Sequence, residues 1–390
     1  MNKEEKLLLI NEIFTPSSPI ERKELFIGRA KEIDQIRQVI LEKGQHAVMY
    51  GPRGAGKTSL ANMARFLFDD LMTIKITCTR NDTFKLIWER ALRKIRFLNQ
   101  FNEVGFKPAE KLEAIPINVP EIEYLNTTEI ENILTELNQS VLFIFDEFDS
   151  IKSPGAKSQM ADMIKVLSDN LPNISLLIVG ISQSVEKLIG EHQSIERCIK
   201  QIELSLMSDI EARDLIDENL KIVEMKIKND ILSKMIELSS GFPNYLHLLS
   251  KYAAVEALSV NSNAISELHF NTAVLKSIEN SDYSVKNAYQ KAVSTSADKN
   301  QFADVLLACA MASTDDENSF GSSEVLEQFN HITGNEHKAE SINYNLGMLC
   351  KRERAEILTK IGRQKNARYR FRKPLLKAFV KLKMHEMTIV

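Results

Sequence analysis

Apolar and polar residues alternate along this chain with two spacings, and the spacing changes near residue 208. Ile33, Ile36 and Ile40 recur at helical spacing and predict an amphipathic helix that Gly44 ends. His46–Gly51 (HAVMYG) reads as a short buried strand running into a glycine loop. KTSLANMARFLF reads as a helix with Leu60, Met63 and Leu67 on one face. Leu71–Cys78 (LMTIKITC) predicts a second strand and residues 83–100 a helix. Residues 102–125, with Pro108, Pro116 and Pro120, predict an irregular loop of unusual length. The continuous apolar runs Val141–Glu147 (VLFIFDE) and Ile174–Gly180 (ISLLIVG) suit central parallel strands covered on both faces. Cys198–Leu204 (CIKQIEL) completes five strands. Strands alternating with helices predict a parallel α/β sheet.

From Ser208 the pattern is helical. Ser208 and Glu211 form a predicted capping box, and the helices run to about Tyr289, with breaks at Gly241-Phe242-Pro243 and Asn261-Ser262-Asn263. Ser294–Asn300 is a polar linker. An apolar helix (QFADVLLACAMA) follows, then a helix near Ser323 with that serine as its N-cap, then a third from about Lys338 to Arg352. EILTKIG and ARYRFRK alternate on either side of RQKN and predict a hairpin. Three helices followed by a hairpin is the order of a winged helix. The expected fold class is α/β: a parallel-sheet P-loop domain (23–205) with a helical lid (206–293) and a C-terminal winged helix (298–390). An N-terminal arm (1–22), broken at Ser17–Pro19, precedes them.

The loop after the first strand carries candidate chemistry. Gly51, Pro52, Arg53, Gly54, Ala55, Gly56, Lys57 and Thr58 fit G-x-x-x-x-G-K-[ST] without mismatch, with Ser59 next, between a predicted strand and a predicted helix. Backbone N–H groups there converge on phosphate oxygens, Lys57 is placed to reach the β and γ phosphates, and Thr58 offers a hydroxyl to Mg²⁺. The end of VLFIFDE supplies the acidic half of such a site. Asp146 is expected to hold Mg²⁺, and Glu147 to orient and deprotonate the attacking water. Asp149 fits a helix start better than a metal ligand. ATP and Mg²⁺ are the implied ligands.

Charge changes the picture only near the C-terminus. The net charge is -3, yet thirteen Lys and Arg lie between Lys351 and Lys383 against Glu353 and Glu356 alone. That excess points to an anionic partner. Arg363, Lys365, Arg368, Arg370 and Arg372 decorate the hairpin as candidate DNA phosphate contacts. Tyr369 and Phe371 alternate with the arginines and are expected to pack inward. The alternative to DNA is that the basic hairpin docks on this protein's own acidic ATPase face or on an acidic partner. No apolar run approaches the roughly 20 residues that a membrane-spanning helix needs. The start MNKEEKLLLINEIF argues against a signal peptide, and four scattered cysteines read as free thiols, so a cytoplasmic location is expected.

ELFIGRAKEID, GPRGAGKTS, VLFIFDEFDS and the GIS that follows the fourth strand together resemble an AAA+ ATPase, nearest its origin-recognition branch and the related STAND signalling ATPases. The resemblance covers about residues 23–290 and then the winged helix. It implies that Phe26 and Ile27 lie against adenine, and that Ser182 is a sensor positioning the water or the γ phosphate. Arg197 falls where the family has an arginine finger completing a neighbouring subunit's site, so hydrolysis would need a homo-oligomer. Alternatively, Ser182 caps a turn and Arg197 makes a surface ion pair. The lid departs from the family: Asn244, in GFPNYLHLL, stands nearest the usual arginine, and the Gly-x-Pro pattern is similar to STAND lids. Two functions follow as expectations. One is a DNA-associated ATPase; the other is an ATP switch that recruits a separate effector protein in signalling or antiviral defence.

Overall fold

The structure is a computed structural model. It describes residues 1–20, 22, 25–68, 71–99, 113–116, 125–137, 139–182, 184–190, 193–294, 301–315, 318–362 and 367–389. The chain forms two compact units. One comprises Pro19–Pro52 and Gly56–Ser205; the other comprises Met1–Ser18, Arg53–Ala55 and Leu206–Val390.

The first unit is built on a parallel sheet of β1 (His46–Gly51), β2 (Met72–Thr77), β5 (Val141–Asp146), β6 (Ile174–Ile181) and β7 (Ile199–Glu203), in the order β2-β5-β6-β1-β7. Its central strands are mostly apolar because both faces are covered: every residue of β5 is buried, including Asp146 at its end, as are the first seven of β6. Trp88 sits at the centre of one face, 5.2 Å from the rings of both Phe143 and Phe145. Its helix, Phe84–Lys94, starts where the Thr83 hydroxyl accepts the N–H of Leu86.

This helix is shorter than the 83–100 expected. After Lys94 the chain turns extended at Ile95. Residues Arg96–Asn99 form β3, antiparallel to β4 (Glu113–Pro116). The expected irregular stretch thus contains a strand, and the rest of it, 102–112 and 117–124, lies outside the described residues. The helix after the glycine loop also ends early, at Met63, and continues as a 3₁₀ turn, Ala64–Phe66.

In the second unit, residues Lys3–Ile13, within the expected N-terminal arm, form a helix. An Asn2/Glu5 capping box starts it, and Ile10, Ile13 and Phe14 are fully buried. Phe14 meets His247 edge-on at 6.0 Å, and Lys6 pairs with Glu224 at 3.2 Å. The Ser208/Glu211 capping box starts helix Asp209–Ile222 as predicted. Helices Asn229–Ser239, Pro243–Ser259, Glu267–Glu279 and Tyr283–Val293 follow, with a short parallel pair between β8 (Lys226–Ile227) and β9 (Ala264–Ile265). The linker residues 295–300 lie outside the described residues.

The C-terminal part of this unit runs helix Gln301–Met311, β10 (Phe320–Gly321), helix Ser322–Thr333, helix Ala339–Leu349, β11 (Leu358–Ile361) and β12 (Arg368–Phe371). It closes on helix Leu376–Ile389. The three strands are antiparallel in the order β10-β12-β11. Tyr369 and Phe371 are buried, and Phe371 packs 6.0 Å from Phe320. Ser323 is not an N-cap. Gly321 holds that position in extended conformation because it pairs with Arg368 across the sheet, and the Ser323 hydroxyl turns to Glu324 instead.

Candidate nucleotide site

The sheet order places β6 between the strand that enters the glycine loop and the strand that ends in Asp146. Loop, acidic pair and Ser182 therefore all sit at the carboxyl ends of neighbouring parallel strands, where open α/β sheets bind ligands.

Gly51 turns the chain out of β1 with φ 150°, and a Cβ there would lie 2.2 Å from the carbonyl oxygen of Leu204. Only glycine permits this close approach. The contact is fixed by the Leu204 N–H donating to the Tyr50 carbonyl at 2.8 Å. Gly56, with φ 94°, is the N-cap of helix Lys57–Met63. Lys57 is buried, and its ammonium donates to the carbonyls of Gly51 and Pro52 at 2.9 and 2.8 Å, so it arches over the loop it belongs to. Thr58 is half-buried in the helix's first turn. Ser59 accepts the N–H of Ile20 at 3.2 Å and ties the entering chain to this helix. Ala55 is buried, Pro52 and Gly54 are half-buried and Arg53 is exposed.

Asp146 is 3% exposed. One carboxylate oxygen accepts the Glu147 N–H at 2.9 Å, and the other faces the ammonium of Lys75 on β2 at 3.0 Å. Lys75 also donates to the Asn62 side chain, on the helix after the glycine loop, at 2.7 Å. Neither Lys75 nor Asn62 stands out in the sequence; the available signal is a lysine interrupting an apolar strand. Glu147 is exposed and sits in the left-handed region at φ 56°, which a non-glycine residue adopts at a cost. Asp149 lies in the 3₁₀ turn Phe148–Ser150 and accepts the Ile181 N–H at 2.7 Å, joining the ends of β5 and β6.

Ser182 forms a local turn: its hydroxyl donates to the Ser184 carbonyl at 2.7 Å and accepts the Ser184 N–H at 3.3 Å. Gln183 lies outside the described residues. Arg197, in the 3₁₀ turn before β7, is 72% exposed and pairs with Asp169 at 2.8 Å. Phe26 and Ile27 are half-buried. The neighbouring Arg29 is buried in the left-handed region and donates to the Ser205 carbonyl at 2.6 Å. In the helical unit, Asn244 donates to the Pro16 carbonyl, and His247 is an interior residue.

The basic hairpin is less open than its sequence suggests. Arg368 is half-buried between Asp315 at 2.8 Å, Glu324 at 3.5 Å and Ser319. Arg372 pairs with Glu356. Arg354 lies over the Phe302 ring at 3.5 Å and donates to the carbonyls of Ala292 and Ser294. Arg370 is half-buried, Lys351 and Lys360 are exposed, and Arg352 is 94% exposed. Arg363 and Lys365 lie outside the described residues.

Cys78, Cys198 and Cys309 are buried free thiols and Cys350 is half-buried; burial pushes the Cys78 thiol up to about 12. Among the described residues no helix is long and apolar enough to cross a membrane, and no three His, Cys, Asp or Glu gather to hold a metal. The oxygen donors present, the Thr58 hydroxyl and the Asp146 carboxylate, fit a Mg²⁺ ion, which is commonly held by one or two protein groups together with substrate phosphates.

A glycine loop between strand and helix, with an acidic pair closing a nearby parallel strand, defines a P-loop nucleotide-binding fold. Residues 26–249 match the family described as an ATPase domain predominantly from Archaea, and the chain belongs to that family. It is an ATPase. Among solved structures it is similar to a Walker-type ATPase of Pyrococcus abyssi, at 16% identity and a TM-score of 0.53, covering 95% of this chain and 99% of that one. It is likewise similar to the ORC2 protein of Aeropyrum pernix, solved as ADPNP–ADP complexes, at 13% identity and a TM-score of 0.51, covering 97% and 98%. At such identities the likeness is one of fold. No curated protein matches the sequence.

Proposed function

We propose that this ATPase is a nucleotide-dependent, DNA-associated machine whose C-terminal strands and helices form a winged helix. ATP is held by the backbone of Gly51–Ser59, with Lys57 exchanging its two loop carbonyls for phosphate oxygens. Thr58 and Asp146 are the residues that would hold Mg²⁺, which when bound neutralises phosphate charge. Glu147 is the base that orients and deprotonates water, and its strained backbone fits a group whose direction matters more than local comfort. Ser182 positions the water or the γ phosphate, and Phe26 and Ile27 face the base. Arg197 completes the site of a second copy of the chain. Its ion pair with Asp169 is exposed on both sides, and such pairs are weak enough to exchange for a phosphate.

The observation that carries the DNA reading is the thirteen-to-two excess of basic residues on a helix–strand–helix–helix–hairpin module. With Arg354, Arg368 and Arg372 engaged internally, the contact falls to Lys351, Arg352, Lys360 and Arg370, together with Arg363 and Lys365, which lie between the two hairpin strands in sequence. These groups supply phosphate binding with little base readout. The same internal pairs favour a second reading, in which the module binds an effector protein and nucleotide state controls that binding.

Anisotropy of an arbitrary labelled duplex, in ATP and in ADP at two salt concentrations, separates the two. The DNA reading expects binding that weakens steeply with salt, and a shallower slope once Lys351, Arg352 and Lys360 are neutralised. Absence of binding in both nucleotide states assigns the module to a protein partner.

A further inference from the structure

We infer that Lys75 is an internal counter-ion that keeps the seat of the catalytic metal closed until nucleotide arrives. The inference rests on the nucleotide-site reading above and concerns a residue outside the motifs that define it. Lys75 stands on β2, at a position that pairs with Ile144 two residues before the acid. Its neighbours Ile74 and Ile76 point into the core around Trp88, so strand alternation sends Lys75 to the opposite face. There its ammonium reaches one oxygen of Asp146 at 3.0 Å and the Asn62 amide oxygen at 2.7 Å. Asn62 in turn donates to the Ile20 carbonyl at 3.5 Å.

Both oxygens of the Asp146 carboxylate are therefore engaged by this chain's own donors, Lys75 on one and the Glu147 N–H on the other. The carboxylate side chain is 4% exposed, and a charge that deeply buried is not tolerated without a partner. Lys75 is that partner when no nucleotide is bound. It also repels any second cation approaching the same carboxylate. A divalent ion brought in with a polyphosphate meets several negative charges that outweigh one ammonium, whereas free Mg²⁺ meets Asp146 already neutralised. Lys75 thus acts as a positioning residue: it aims Asp146, and it makes metal binding conditional on nucleotide.

The test is thermal melting of the full chain against magnesium chloride without nucleotide, and ADP binding in Mg²⁺ and in EDTA. The wild type is expected to show no Mg²⁺-dependent rise in Tm without ADP. Lys75→Met, similar in length and uncharged, is expected to gain one, and to respond to Mg²⁺ at concentrations lower by about tenfold or more in the presence of ADP. The double variant Lys75→Met/Asp146→Asn is expected to lose that response. Should Lys75→Met not fold, Asn62→Ala leaves the lysine in place but unclamped and is expected to move the Mg²⁺ midpoint the same way by a smaller factor. A folded Lys75→Met or Asn62→Ala whose Mg²⁺ dependence equals the wild type's overturns the inference, as does a response that survives Asp146→Asn. Wild-type ADP binding that is identical in Mg²⁺ and EDTA removes the metal seat itself, and the inference falls with it.

Discussion

Glu147 combines an exposed side chain with a left-handed backbone held between a buried strand and a 3₁₀ turn. Glu147→Gln is nearly the same size and removes the carboxylate proposed as the base. ATP binding should persist while turnover falls by about a hundredfold or more, measured as nucleotide retained per chain against phosphate released. Two buried histidines set an acid limit at the same scale. Burial lowers both His46 and His247 from 6.5 to about 4. The unfolded chain therefore binds more protons than the folded one between those values. Their contribution to stability is complete above pH 6.5 and is lost as pH falls toward 4, by about 3 kcal/mol for each histidine. Denaturant melts from pH 7 to pH 4 should show this loss, and His247→Phe should reduce it.

At the scale of elements, the hairpin arginines divide by partner rather than by position. Arg368 bridges β12 to Asp315, Ser319 and Glu324, so Arg368→Ala should destabilise the C-terminal strands by about 1–2 kcal/mol. Arg370→Ala should leave the melt unchanged and weaken binding to the duplex, and a melt that drops equally for both would contradict this division. Nothing in ARYRFRK separates the two arginines, because the carboxylates that claim Arg368 lie more than forty residues upstream. The same reason hides Lys75 and Asn62: a contact between strand and helix side chains leaves no periodic trace. Strands β1, β5 and β6 are legible because burial on both faces demands unbroken apolar runs. The hairpin of β3 and β4 is not, because the stretch between its halves is too long to read as a turn. Helix Lys3–Ile13 is hidden because its buried residues, Lys6, Ile10 and Ile13, make a sparse stripe beside exposed leucines.

At the scale of the whole molecule, the glycine loop and acidic pair are readable as chemistry before any fold is known, since their residue types and flanking elements carry the mechanism. Assembly is not, because an exposed arginine paired with Asp169 of its own chain carries no sign of a neighbouring copy. If Arg197 completes a second copy's site, specific activity must rise with protein concentration, and Arg197→Ala must bind nucleotide yet lose that rise. The most direct measurement is therefore ATP hydrolysis as a function of protein concentration, with and without duplex DNA, at two salt concentrations. A DNA-associated, oligomeric ATPase predicts specific activity that climbs with concentration and is stimulated by DNA at low salt, with the stimulation fading at high salt. Activity that is independent of concentration and indifferent to DNA at both salts would contradict it.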